Sequence, residues 1–255
     1  MSTRIGIAGI SGRMGQMLVE EVAAAGAALA GGTRRTPPAT SSVPLFADVA
    51  ALAAVSDVVI DFTRADTAAA HAGALMATGT PWVLGTSGLS AAEEAAVAEA
   101  AQSIPVVYAA NFSAGVTLVL ALAEQMGAAL PAAQYDAEIV EMHHRQKVDA
   151  PSGTAIGIGR AVARGRNVDL RDVMQSGRDG HTGPRETGAI GFATLRGGQV
   201  VGEHSLLFAG SDEQIILSHR AFDRRTFATG AVRAALWLKD QPPGLYTMRH
   251  VLGLA

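Results

Sequence analysis

Through its first half the chain alternates short apolar runs with longer segments whose apolar residues recur at helical spacing. Arg4 to Ala8 reads as a buried strand, and Met14 to Ala25 as a helix with Met14, Leu18, Val22 and Ala25 on one face. Ala28 to Thr33 predicts a second strand, running into Arg34-Arg35 and a Pro-rich loop from Thr36 to Pro44. Asp57 to Phe62 is the clearest strand, β-branched in the middle with Asp61 near its end, and a helical run follows Thr63 as far as Ala77. Trp82 to Leu84 predicts another strand, stopping at Gly85-Thr86-Ser87-Gly88. Residues 90–102 predict a helix whose Ser90 and Glu93 form a capping box, and Val106 to Ala109 predicts one strand more. Strands alternating with helices at this pitch predict a mostly parallel sheet covered on both faces.

The pattern then changes. Gln134 to Met142 reads as a strand, Gly153 to Arg164 as a helix, and Asn167 to Arg185 as a polar, Gly-rich stretch. Extended runs follow at Ala189 to Leu195, Val200 to Phe208 and Glu213 to Ser218, the first two separated by Arg196-Gly197-Gly198-Gln199. Gly-Gly between extended runs predicts a hairpin, hence a second domain built on an antiparallel or mixed sheet. The last helical run is Arg225 to Lys239. The expected class is α/β: a Rossmann-like dinucleotide-binding domain with a mostly parallel sheet, plus an α+β substrate and oligomerisation domain.

Composition narrows the function classes. Of 255 residues 49% are hydrophobic and 17% charged, enough for a substantial core and too few charges for a disordered chain. A net charge of −3 argues against a general nucleic-acid binder, which needs clustered positive charge. The absence of Cys removes a disulfide scaffold, a thiolate zinc site and a catalytic thiol. The longest apolar stretch, Phe112 to Ala123, is short for a membrane span and carries Ser113, Gly115 and Thr117. Met1 to Arg4 runs directly into a strand, so neither a secretory leader nor a membrane partner is expected, and the cytoplasm is the expected location.

Candidate chemistry sits at three kinds of place. The first βα turn, Gly9-Ile10-Ser11-Gly12-Arg13-Met14-Gly15, brings backbone N–H groups close to a pyrophosphate at a helix N-terminus. Arg34 falls roughly 20 residues beyond its last glycine, where an acidic residue accepts from the ribose 2′-OH in NAD sites; Arg34-Arg35 there suits a 2′-phosphate, so NADPH is expected, with NADH as the lesser option. Gly85-Thr86-Ser87 and Ala109-Ala110-Asn111-Phe112 follow strands of the same sheet, outside whose C-terminal ends ligands bind. The densest stretch is Glu138 to Thr154, where Glu141, His143, His144, Arg145 and Lys147 crowd one strand end. Beyond it Ser152 reads as an N-cap, with Gly153 and Thr154 opening a helix suited to a carboxylate. A His and a Lys beside such a helix start suit binding an anion and supplying a proton. Arg224 follows an extended run and is either an anion ligand or a surface ion pair. The His143-His144 pair lacks the partners of a familiar metal set, so no metal is expected.

Taken together, GIAGISGRMG at the start, VIDFT at 59–63, GTSG at 85–88, AANFS at 109–113 and EIVEMHHRQKVDAPSGTA at 138–155 resemble the dihydrodipicolinate reductase family. The likeness continues through IGFATLRGGQVVGEH at 190–204, FATGAVRAALWL at 227–238 and LYTMRHVLGL at 245–254. It implies an NAD(P)H-dependent reductase of a cyclic dicarboxylic imine in the diaminopimelate route to lysine, acting as a homotetramer. It also implies His143 as proton donor or acceptor, Lys147 as a second donor, and substrate held by His144, Ser152, Gly153, Thr154 and Arg224. The cofactor would be held by Gly9 to Met14, Gly85 to Ser87 and Ala109 to Phe112. A discontinuous first domain (1–114 and 224–255) would enclose a substrate-binding and tetramerisation domain (115–223). Two departures stand out: many members carry Glu-Arg at Arg34-Arg35, and a Thr is commoner at Ser87. The other reading left open is a catalytically inactive NADP-binding sensor of the same fold.

Overall fold

The computed structural model describes residues 2–34 and 42–254; Arg35 and most of the Pro-rich loop lie outside the described residues. In chain order the elements are β1 (Arg4–Ala8), α1 (Arg13–Ala24), β2 (Ala28–Thr33), β3 (Leu45–Phe46), α2 (Val49–Ala53), β4 (Val58–Asp61), α3 (Ala68–Thr78), β5 (Trp82–Leu84), α4 (Ala91–Ala100) and β6 (Pro105–Tyr108). They continue as α5 (Ala114–Ala129), β7 (Asp136–His143), α6 (Gly153–Gly165), α7 (Leu170–Val173), β8 (Met174–Ser176), β9 (Ile190–Arg196), β10 (Gly202–Ala209) and β11 (Gln214–Ala221). The chain finishes with α8 (Arg225–Leu238), β12 (Gly244–Tyr246) and α9 (Met248–Val251). Two compact units result, one from residues 1–114 with 225–255 and one from 115–224.

The first unit holds a seven-stranded parallel sheet in the order β12-β6-β5-β4-β1-β2-β3. Its strands read as continuous apolar runs because both faces are covered. Ile5, Ile7, Val58, Ile60 and Val107 pack under α1 and α8, while Val59, Trp82, Leu84 and Val106 pack under α2, α3 and α4. The chain winds outward in both directions from the β1–β4 pair, so the switch point lies there, the place where such sheets bind ligands. Ser90 caps α4 with the capping box read from sequence. The α8 helix lies so close to the loop after β6 that a Cβ on Gly230 would stand 1.8 Å from the Phe112 carbonyl oxygen.

The second unit holds a five-stranded mixed sheet, β11-β10-β7-β9-β8. The expected hairpin between β9 and β10 is not formed: β7 lies between them, antiparallel to β10 and parallel to β9. The reason is apolar pairing. Ala137 and Ile139 of β7 stand level with Phe208 and Leu206 on one side and with Ile190 and Phe192 on the other, giving one continuous face under α6. The Gly197-Gly198 turn instead folds across the end of β7, where Gly197 N–H donates to the His143 carbonyl and Arg145 N–H to that of Gly198. The polar, Gly-rich stretch Asn167 to Arg185, for which the sequence pattern predicts no element, contains α7 and the edge strand β8. The opposite face of this sheet carries the half-buried Val140, Met142 and Leu207 beside Leu195 (51% exposed) and Ile216 (55%).

Candidate active site

In the first unit the glycine turn after β1 has little room. Gly9 adopts φ +76°, and a Cβ on Gly15 would stand 2.4 Å from the Gly9 carbonyl oxygen and 2.5 Å from that of Ile10. Only glycines let this loop enter α1, whose N-cap Gly12 brings no side chain to the first turn. The turn meets the end of β4, where Asp61 is buried and accepts from Thr63 N–H (2.9 Å) and Thr63 Oγ1 (2.6 Å), and lies 2.7 Å from His71 Nδ1. This carboxylate pins the strand end beside Gly9, a role not foreseen from sequence.

Ile10, Ser11 and Arg34 share one cleft of about 310 Å³, and the Nε of Arg34 is buried there without a partner among the described residues. Met14, Ala110, Asn111 and Phe112 share a second cleft of about 190 Å³ with Phe62 and Phe227. Gly85 sits against the Phe62 ring with no space for a Cβ, and Phe62 packs on Phe112 at 5.4 Å. The buried Thr86 hydroxyl likewise has no partner among the described residues, whereas Ser87 and Arg13 are exposed. Ala109 is half-buried at the end of β6. A glycine-lined helix start flanked by orphaned donors suits a dinucleotide phosphate chain.

In the second unit, strand alternation puts Glu141 and His143 on one face of β7. Glu141 is 1% exposed, and its Oε2 lies 2.6 Å from His143 Nδ1. Arg196, at the end of β9, grips the same carboxylate with both terminal nitrogens at 2.9 Å, and Ser152 N–H donates to Oε1 at 3.0 Å. Ser152 also caps α6 through Ala155 N–H, and its Oγ is 2.9 Å from His204 Nε2. The His204 ring meets His143 edge-on at 5.1 Å. Gly153 and Thr154 form the first turn of α6, with open space where a Gly153 side chain would be.

Burial is the largest influence on the Glu141 carboxyl and would raise it. The hydrogen bonds from Arg196, His143 and Ser152 together prevail and hold it below the ordinary range. Burial also pushes His143 below the usual imidazole value, partly offset by Glu141 and reinforced by Lys147 and Arg196. His204 is pushed down to about 4, chiefly by burial and then by His143. At neutral pH the site therefore holds one carboxylate and two neutral imidazoles.

His144 turns away from His143: its Nε2 is 3.4 Å from Arg224, and its buried Nδ1 has no partner among the described residues. Lys147 pairs with Asp149 at 2.7 Å. Glu141, His143 and Ser152 thus assemble as one cluster, joined by Arg196 and His204, which local sequence gave no reason to select, whereas His144 and Lys147 find their hydrogen-bond partners outside it. No group of three or more His, Asp or Glu side chains gathers as a metal site among the described residues, and no described helix is long and apolar enough to cross a membrane.

Residues 3–112 match the model for the N-terminus of dihydrodipicolinate reductase, and residues 115–252 match that for its C-terminus. The chain belongs to the dihydrodipicolinate reductase family. It is 66% identical to the 4-hydroxy-tetrahydrodipicolinate reductase of Granulibacter bethesdensis, over 99% of this chain and 98% of that protein. It is 64% identical to that of Acidiphilium cryptum over 98% of both. A dipicolinate-bound dihydrodipicolinate reductase from Paenisporosarcina superposes with a TM-score of 0.79 at 26% identity, covering 97% of this chain and 98% of that one. GenD2 of gentamicin A biosynthesis, solved with NAD, shares the fold at a TM-score of 0.60 and 13% identity. This family member is thus an oxidoreductase on a nucleotide-binding fold.

Proposed function

We propose that this chain reduces 4-hydroxy-tetrahydrodipicolinate, by way of dihydrodipicolinate, to tetrahydrodipicolinate in the diaminopimelate route to lysine, with NADPH preferred over NADH. The observation that carries the reading is the His143 imidazole, backed by a buried carboxylate at 2.6 Å and set beside the Ser152-capped start of α6. When bound, the dinucleotide supplies a hydride; the chain's own groups supply the proton and the charge compensation.

Gly9 to Met14 would hold the pyrophosphate, while Gly85 to Ser87 and Ala109 to Phe112 would line the nicotinamide side. A dicarboxylate would be held by the Gly153-Thr154 turn and by His144, Lys147 and Arg224. Lys147 and Arg196 both act to keep His143 unprotonated in the free protein. A dianion placed beside them cancels that influence, so His143 takes up a proton as substrate binds and returns it to the reduced ring, with Lys147 as second donor.

The decisive assay couples pyruvate and aspartate semialdehyde through the upstream synthase and follows 340 nm absorbance with each cofactor. Oxidation of many equivalents per chain is expected; a single equivalent or none would leave a nucleotide-binding sensor. Arg34→Ala is expected to weaken NADPH about 10-fold or more with little change for NADH, the loss of one charge-assisted phosphate contact. Titration of the protein with both nucleotides checks this, and equal weakening would remove Arg34 from 2′-phosphate recognition.

The sheet face with Val140, Met142 and Leu207, and with Leu195 and Ile216 exposed, supports assembly of four copies through the second unit, because a contiguous apolar patch of this kind marks a protein–protein contact. Light scattering is expected to give four times the chain mass.

A further inference from the structure

The carboxylate of Glu141 has a complete set of partners. Its Oε1 accepts from Arg196 and from Ser152 N–H; its Oε2 faces Arg196 again and His143 Nδ1. An ionised carboxylate offers about four acceptor sites and no donor. Three of the four partners are N–H groups with no acceptor capacity, so the fourth position is filled by a proton on His143 Nδ1. The remaining ring nitrogen, Nε2, is then bare in the neutral imidazole. It faces Gly202 of β10, where an added Cβ would stand only 3.0 Å away, so the glycine keeps the approach to Nε2 clear.

We propose that Glu141 is a positioning residue for the reduction: braced by Arg196 and by the Ser152 N–H, it fixes the proton of His143 on Nδ1 and presents Nε2 as the nitrogen that exchanges a proton with substrate. The inference rests on His143 being the proton-exchanging group. It adds the tautomer, the reacting nitrogen and a role for Glu141, Arg196 and Gly202. Balance is simple: Nε2 gains a proton from solvent as the dianionic substrate binds and loses it to the ring carbon or nitrogen that carries the pair left by reduction. Glu141 stays ionised throughout and stabilises the transient imidazolium. The other charged and titratable groups facing His143 are Arg196 from β9, His204 from β10 and Lys147 from the loop after β7.

The first measurement is read on the unsubstituted protein. With ring-¹⁵N-histidine protein bound to NADPH at pH 8, the His143 signals, assigned by their loss in His143→Gln, are expected to show a protonated Nδ1 and a bare Nε2. The opposite tautomer overturns the proposal, whatever the variants do. Glu141→Gln is then expected to lower kcat/KM by about 10–100-fold with the KM for NADPH unchanged. Its basic limb should move to lower pH by about one unit, because removing the adjacent anion lowers the imidazole pKa. Glu141→Asp, which keeps the charge, is expected to recover part of the loss. A Glu141→Gln enzyme with an unmoved limb sinks the proposal while leaving His143 in place. Full turnover by His143→Gln would instead remove the reading on which it rests.

Discussion

His143→Gln is expected to lower kcat by about 10²–10⁴-fold, the usual worth of a positioned general acid, with NADPH affinity unchanged. Gln is chosen because its amide keeps a donor for the Glu141 carboxylate, so the buried charge is not left short of a partner. The side chain lies in the second unit, whereas the clefts proposed for the nucleotide are lined by first-unit residues. Cofactor titration by fluorescence therefore acts as the internal control. A variant with normal nucleotide binding and normal turnover would leave the reaction without its proton source. The wild-type kcat/KM profile is expected to decline on the alkaline side, since the free-protein imidazole is already held below its ordinary value and substrate must draw the proton in.

Arg196→Ala is expected to be the most destabilising single change near the site. Glu141 is 1% exposed, and removing a bidentate partner from a buried charge costs about 3–5 kcal/mol. The pH dependence should also change sign. In the native protein the Glu141 carboxyl is depressed, so its contribution is present above the unfolded value of about 4.3 and fades as pH falls through the folded value. Without Arg196 the largest hydrogen bond opposing burial is gone, and the folded carboxyl is expected to rise above the unfolded one. The variant should then gain stability as pH is lowered from 7 towards 5, where the native chain gains nothing from this group. Thermal melts at a series of pH values check this, and parallel curves would show that Arg196 does not control the Glu141 charge.

The parallel half of the fold was legible in the sequence because its signals are local. A run such as Trp82 to Leu84 is apolar at every position since both its faces are covered, and Ser90 with Glu93 marks a helix start by chemistry three residues apart. The mixed sheet was less legible. The Gly197-Gly198 pair signals a tight reversal, and the reversal is there, but which strand fills the space beside it depends on Ala137 and Ile139 finding Leu206, Phe208, Ile190 and Phe192 far along the chain. The site divides in the same way. The stretch from Glu141 to Thr154 announced itself by density, but the pairing of Glu141 with His143 on one strand face did not, because the predicted strand stops at Met142 and β7 runs on to His143. Arg196 and His204 come from other strands and join through register alone: Arg196 stands level with His143, and His204 with Glu141.

The split composition of the first unit bears on how the chain is made. Helix α8 and strand β12 leave the ribosome after the entire second unit, Gly115–Arg224, has been synthesised. At about 5–20 residues per second that is a delay of roughly 5–20 s. Throughout it, Ile5, Ile7, Val58, Ile60, Val83 and Val107 form a sheet face whose cover of Ala228, Ala231, Val232 and Ala235 does not yet exist. The nascent chain thus carries an exposed apolar surface, and the first unit is completed only once α8, β12 and α9 have been made. A ribosome stalled before residue 225 would display that face to chaperones, and nascent chains released past Leu238 would not.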